Sequence, residues 1–318
     1  MNNISTDIRK AKTILEQDNL VAIPTETVYG LAGNAFSETA IKKIFETKNR
    51  PLFNPLIVHI HSKELLNNIA ENIPAKAYQL AEAFWPGSLT LVVKKKGNVP
   101  NLVTAGKNTV AVRVPNHPLT LSLLKLLDFP LVAPSANPFG SISPTAAEHV
   151  AQYFKDSLPL ILDGGLCESG IESTIVGFDD EEPVVYRLGA ISIEEIEAVV
   201  GKIKVMNTYE AAPEAPGMLL KHYAPKTKTI LVDDLDDFLN ENTLPKIGSI
   251  AFYKRTANPK VMHQEILSER KNFKEAAANL YQAMHRLDKM NLNLIVAERF
   301  PDENLGKSIN DRLNRATK

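Results

Sequence analysis

Short apolar runs alternate with amphipathic stretches along this chain, and the period of each run decides what element it predicts. Ile8, Ala11, Ile14 and Leu15 recur at helical spacing, with Ser5 placed to cap that helix. Residues 20–23 form a short apolar run that reads as a buried strand, which Pro24 ends. Ser37 stands at the expected N-cap of a helix whose buried stripe is Ile41, Ile44 and Phe45, and this helix stops before Pro51 because a residue ahead of proline is driven out of the helical region. Strands are expected at 56–60, 89–93, 109–114, 131–133, 160–162, 170–176 and 183–188, and helices at 74–84, 119–127, 145–153 and 193–199. Later strands at 229–232, 247–252 and 294–298 alternate with a short helix, a long one over 273–290 and a last one from Gly306.

This pattern predicts an α/β fold with α+β character. A large domain with a twisted mixed sheet and a concave site is expected over 1–206, and a smaller Rossmann-like α/β domain over 229–318. Residues 207–228 hold Pro213, Pro216, Gly217 and Pro225, so they read as an ordered connector or lid. Lys221, His222 and Tyr223 are unusual in a spacer, and a plain linker and a functional segment both remain open. A chain of 318 residues exceeds what one core usually organises.

Composition narrows the function classes. Thirty-six Lys and Arg against thirty-seven Asp and Glu give a formal charge of −1, so there is no global basic field for nucleic acid, and any RNA contact would need a local patch. A single cysteine, Cys167, excludes an intramolecular disulfide framework and a zinc site built from several thiolates, and it suits a reducing cytoplasm. The first residues lack a secretory apolar core, and no apolar run approaches the roughly 20 residues that span a bilayer. Neither secretion nor membrane association is expected.

The candidate chemistry is densest over residues 24–61. Thr25, Glu26 and Thr27 sit at a strand end, either as ligands for a polar molecule or as a turn with self-satisfied hydroxyls. Lys48 and Arg50 either complement a helix C-terminus or clamp an anion, with Arg supplying a planar fork and Lys a point charge. His59 lies in a strand, as a hydrogen-bond carrier or as a structural residue. Alternation puts Thr109, Ala111 and Arg113 on one strand face, which is either solvent-exposed or covered and then in need of acceptors for Arg113. Ser135, Asn137, Ser143 and Thr145 repeat the placing of polar groups where a strand stops, and Ser143 also suits a helix N-cap. Ser173 and Arg187 follow in the last strand pair. No Walker A, G-x-G-x-x-G, H-E-x-x-H or G-x-S-x-G motif is present. The residues by themselves give an anion-binding cleft lined by Thr, Ser, Lys, Arg and His.

The ordered motifs PTETVYGLAG, K-x-R-P at 48–51 followed by NPLIVHI, FWPGSLTLVV, VAVRVP, APSAN, ESTIV, YRLGAI and KHYAP, with the ending LGKSINDRLNRA, resemble the threonylcarbamoyl-AMP synthase family in its long form, a YrdC-type domain followed by a C-terminal domain. Asn49 departs from the glycine often found between the two cations. The resemblance implies an enzyme, a nucleotidyltransferase that joins L-threonine, bicarbonate and ATP into threonylcarbamoyl-AMP and pyrophosphate for tRNA modification. It implies Mg²⁺ held through the ATP phosphates, with no protein metal ligands, and a product passed to the tRNA threonylcarbamoyl transferase machinery. By the same resemblance, Thr27, His59, Arg113, Ala133 and Ser173 face L-threonine. Lys48, Arg50, Asn54, Thr109, Ser135, Asn137, Ser143, Arg187, His222 and Tyr223 face ATP, and Lys48 and Arg50 are the catalytic cations. An RNA-binding module is disfavoured by the charge balance, and a carbamoyltransferase with zinc-binding cysteines by the single Cys167.

Overall fold

The computed structural model describes residues 3–206 and 222–318. Strands β1 (Ile4–Ser5), β2 (Val21–Ile23), β3 (Gly30–Asn34), β4 (Ile57–His59), β5 (Leu89–Lys94), β6 (Thr109–Arg113), β7 (Leu131–Val132), β8 (Ile161–Leu162), β9 (Thr174–Asp179), β10 (Glu182–Arg187) and β11 (Lys204–Val205) build a mixed 11-stranded sheet in the order β1-β8-β2-β3-β7-β4-β6-β5-β9-β10-β11. Strands β12 (Thr229–Val232), β13 (Ile247–Ala251), β14 (Val261–Ile266) and β15 (Leu294–Glu298) form a second, parallel sheet in the order β12-β15-β13-β14. The α/β class and the large mixed sheet followed by a small α/β unit match the expectation. The connector expected at 207–228 falls largely on residues 207–221, which lie outside the described residues.

Local chemistry explains the elements that frame the site. Ser37 Oγ accepts the Ala40 N–H at 3.2 Å and starts the helix Glu38–Lys48. Ile41, Ile44 and Phe45 are buried on one face, each contributing roughly 1.5–3 kcal/mol relative to an exposed position. Asn49 ends this helix at φ 50°, in the left-handed region that Gly occupies most readily and Asn next. The Arg50 N–H then returns to the Phe45 carbonyl at 2.9 Å, which turns the chain sharply and leaves Lys48 and Arg50 on the inner side.

Several expectations need correction. Asp7, not Ser5, caps the first helix, Ile8–Glu16, by accepting from the Arg9 and Lys10 N–H groups, while Ser5 lies in β1. The helix expected from 145 is Ala147–Phe154, and Ser143 does not cap it, because Ser143 Oγ is committed to Glu172 at 2.6 Å. The strand expected from 170 begins at Thr174, since Gly170 turns at φ 68° directly beneath the backbone of Ala278, where any Cβ would lie 2.4 Å from the Ala278 carbonyl oxygen. β1, β3, β11 and β14 were not anticipated. β3 carries two glycines, and β14 is a half-buried edge strand of mixed polarity, so neither shows a strand period.

The main core packs the helices against the 11-stranded sheet, and a second core crosses between the two sheets' territories. It joins Val28, Ile142, Ile171 and Tyr223 to Leu280, Tyr281, Ile309 and Leu313 of the helices Phe273–Asp288 and Leu305–Ala316. The helix Ala147–Phe154 meets the same long helix through His149, stacked on His285 with ring centroids 3.8 Å apart. No helix among the described residues is long and apolar enough to cross a membrane.

Candidate functional site

Strand register assembles one side of the site. β4 pairs in parallel with β6, so that His59 sits opposite Arg113, and β7 pairs with β4 from the other side and leads into Ala133. Both faces of β6 around Arg113 are buried and Arg113 is 4% exposed, which rules out the solvent-exposed reading of that face. Its guanidinium donates from Nε to the Gly87 carbonyl at 3.1 Å, from Nη1 to Thr27 Oγ1 at 2.9 Å and from Nη2 to Glu26 Oε1 at 2.5 Å. Thr25 makes the self-satisfied turn, with its hydroxyl donating to the Val28 carbonyl at 2.6 Å, and this holds Thr27 beside Arg113. The self-satisfied turn is thus present, and Thr25 and Thr27 also face the cavity described below.

His59 Nδ1 lies 3.1 Å from the Ile57 carbonyl, which only accepts, so Nδ1 carries the proton and Nε2 presents a lone pair. Burial, reinforced by the Arg113 charge, pushes its pKa down to about 3, so the ring is a neutral acceptor near pH 7.

The opposite side is cationic. Lys48, 2% exposed, donates to the Ser135 carbonyl at 2.6 Å and to that of Asn137. Arg50 donates to the Asn54 carbonyl at 3.2 Å and the Pro55 carbonyl at 2.8 Å. Among the described residues neither is paired with a carboxylate, and burial pushes both down, with the Arg50 charge adding to the effect on Lys48, and the Arg187 charge to that on Arg50, which falls to about 9. Arg187 holds the Ser173 carbonyl at 2.8 Å and Ser173 Oγ at 3.1 Å, and that hydroxyl is also 2.7 Å from Thr90 Oγ1.

A cavity of about 60 Å³ lies between these sides, walled by Thr27, His59, Arg113, Ala133 and Ser173 and also by Arg50, Ser135, Arg187, His222 and Tyr223. Ten of the expected site residues thus converge on one space. Lys48, Asn54, Thr109, Asn137 and Ser143 are not on its wall. Lys48 and Asn137 stand one layer behind Ser135, Thr109 lies at the far end of β6 opposite Lys94, and Ser143 is fully buried against Glu172. Six buried side-chain polar atoms among the described residues have no hydrogen-bond partner, and four of them belong to Asn54, Asn137 and His222.

His222 and Tyr223 close the cavity from the C-terminal side. Tyr223 sits in the second core at φ 64°, against Tyr281 at 5.6 Å and under the Arg312 guanidinium at 5.4 Å. The Ala224 N–H is tied to the Gly140 carbonyl at 2.8 Å. Glu172 and Thr90 were missed from sequence, as was Arg312 behind them. Thr90 carried no signal within the apolar run of β5, and no role was assigned to the charges of the last helix, where Arg312 and Arg315 are 0% exposed.

No group of three or more His, Cys, Asp or Glu among the described residues is arranged to hold a metal ion. The carboxylates nearest the cavity, Glu26 and Glu172, are engaged by Arg113 and Arg312. The described residues therefore do not fit a protein-borne magnesium cage.

The model described as "Telomere recombination" matches residues 13–189, and that described as "Threonylcarbamoyl-AMP synthase, C-terminal domain" matches residues 191–317. A threonylcarbamoyl-AMP synthase of Pyrococcus abyssi is 40% identical over 98% of this chain and 94% of its own length. One of Bacillus subtilis is 38% identical over 97% and 92%. The crystal structure of P. abyssi Sua5 complexed with L-threonine superposes with a TM-score of 0.89 at 40% identity, covering 98% of this chain and 94% of that one. The chain accordingly belongs to the threonylcarbamoyl-AMP synthase family, in the form that carries the C-terminal domain.

Proposed function

We propose that this chain makes threonylcarbamoyl-AMP and pyrophosphate from L-threonine, bicarbonate and ATP. The observation that carries the nucleotide half is the pair Lys48 and Arg50, buried cations that among the described residues are held by carbonyl oxygens alone. A desolvated cation without a counter-charge is costly, and a polyphosphate supplies that charge. The unpartnered polar atoms of Asn54, Asn137 and His222 give further hydrogen-bonding capacity on the same side. On the amino-acid half, Arg113 spends three of its five N–H groups on Gly87, Thr27 and Glu26, and the remainder suit the threonine carboxylate. Thr27, His59 and Ser173 supply hydrogen bonds, and Ala133 leaves room for the ligand.

In this reading the threonine amine and bicarbonate give a carbamate and water. A carbamate oxygen then attacks the ATP α-phosphorus, and pyrophosphate leaves. No bond to the protein forms, so positioning and electrostatics carry the rate. Arg50 and Arg187 balance the phosphate charge from the wall and Lys48 from behind Ser135, with Ser135 as an additional nucleotide contact. Magnesium enters with ATP as part of the substrate. In this reading the wall formed by His222 and Tyr223 opens for the nucleotide and closes to keep water from the mixed anhydride. The domain over 1–206 supplies most of this wall, His222 and Tyr223 of the connector the closure, and the product passes in the cytoplasm to the machinery that transfers it to tRNA.

The test is pyrophosphate release by the purified chain with MgATP. Release is expected only when L-threonine and bicarbonate are both present, and its absence across pH and temperature would rule the synthase reading out.

A further inference from the structure

Among the described residues, the cavity wall carries three cations, Arg50, Arg113 and Arg187, and one carboxylate, Glu172. An anionic substrate would be opposed by that carboxylate unless something offsets it. We propose that Arg312, from the last helix, is a positioning residue that neutralises and fixes Glu172, so that the C-terminal unit makes the wall receptive to an anionic nucleotide. The proposal rests on the ATP reading above.

Glu172 is 7% exposed and Arg312 is 0% exposed, and Arg312 Nε donates to Glu172 Oε2 at 3.1 Å. Tyr281 donates its hydroxyl to the same oxygen at 2.9 Å, and Ser143 donates to Oε1 at 2.6 Å. Asp311 accepts from Arg312 Nη1 at 2.9 Å and fixes the guanidinium from its other end. One turn beyond Tyr281, His285 Nε2 lies 3.1 Å from the Ser143 carbonyl, so Ser143 is held by Glu172 through its hydroxyl and by the C-terminal unit through its main chain. Close approach makes this possible. A side chain at Gly170 would collide with the Ala278 backbone, and only glycine lets the long helix lie directly on the segment that leads into Glu172. An uncompensated carboxylate in a buried wall acts selectively, since it repels polyphosphate and leaves a zwitterionic amino acid far less affected.

The experiment measures ATP and L-threonine affinity of the full chain by calorimetry, with pyrophosphate release alongside. Arg312→Met is expected to weaken ATP about tenfold or more and L-threonine by less than about twofold. Adding Glu172→Gln to it removes the stranded charge and is expected to bring ATP affinity back to within about threefold of the unaltered chain. Tyr281→Phe keeps the ring and loses one hydrogen bond, so it should show the same split at about threefold for ATP. This variant decides the matter if Arg312→Met does not fold. Equal weakening of both ligands, unchanged ATP affinity, or no recovery in the double variant overturns the proposal. An unaltered chain that binds ATP and releases no pyrophosphate overturns the synthase reading, and the affinities still decide this one. One that binds no ATP overturns both.

Discussion

Arg113 Nη2 lies 2.5 Å from Glu26 Oε1, in an ion pair whose side chains are 4% and 7% exposed. Glu26 also accepts from Ser88 Oγ and the Asn116 N–H, each at 3.0 Å, so the carboxylate is saturated and the guanidinium fixed. Burial pushes the Glu26 carboxyl up, but the Arg113 charge and hydrogen bonds together more than offset it and hold the group below its usual 4.5. A carboxyl depressed in the folded state adds stability above its unfolded pKa and loses it as pH falls through the folded value. Glu26→Gln should therefore cost about 2–4 kcal/mol at pH 7 and lose that disadvantage progressively as pH falls below 4.5 and through the depressed folded value. Urea unfolding at neutral pH and in that acid range checks this, and an equal penalty in each would contradict it.

Arg50→Ala should weaken ATP more than L-threonine. Arg50 stands on the cationic side with Arg187, away from the Arg113–Thr27 contact. Loss of a buried phosphate cation is worth about 2–4 kcal/mol, or roughly thirtyfold or more in affinity. Calorimetric titration with each ligand separates them, and equal losses would sink the placement.

The stacked pair His149 and His285 should make the chain acid-sensitive above the carboxylate range. Burial pushes His149 down to about 3, with His285, Lys289 and Arg286 adding to it, and burial pushes His285 down to about 4 despite its bond to the Ser143 carbonyl and the nearby Asp288. A histidine kept neutral when folded loses stability as pH falls below its unfolded pKa near 6.5, down to the folded value. His149→Phe keeps a ring in the stack and removes one titrating group. Relative to the unaltered chain, it should gain about 1–2 kcal/mol between pH 7.5 and pH 5, read from denaturant midpoints at each pH. A pH-independent difference would show that the stack does not titrate.

Asn49 gives a backbone test. At φ 50° it pays the left-handed penalty that glycine avoids, so Asn49→Gly should fall within about 1 kcal/mol of the unaltered chain and Asn49→Val should cost about 1–2 kcal/mol. Chemical unfolding decides it. Because Lys48 and Arg50 flank this residue, the valine variant should also weaken ATP, and retained affinity would show that the turn does not place the cations.

Much of this was legible because periodicity and punctuation are local. Ser37, Pro51 and the stripe of Ile41, Ile44 and Phe45 gave the helix Glu38–Lys48, and residues 229–232 and 294–298 matched β12 and β15. The convergence of Thr27, His59, Arg113 and Ser173 was not local. It came from recognising ordered motifs, since strand order carries no sequence signature. Glu172 and Arg312 stayed hidden because a buried charge partnered across 140 positions looks, in sequence, like any surface charge. Asn49, read as a departure, turned out to be a backbone solution of the same kind as glycine.

The order of the 11-stranded sheet has a kinetic consequence. Its neighbours β1 and β8 join Ile4 to Ile161, β5 and β9 join Leu89 to Thr174, and the cavity needs Tyr223 as well. Loop-closure entropy must be overcome before such distant pairings return any stabilisation, so the chain should fold slowly for its size, with local helices preceding the sheet. The cavity, which draws on segments from Thr27 to Tyr223, then belongs to the last structure to form. A partly folded chain would present its cations to solvent without the geometry that makes them selective.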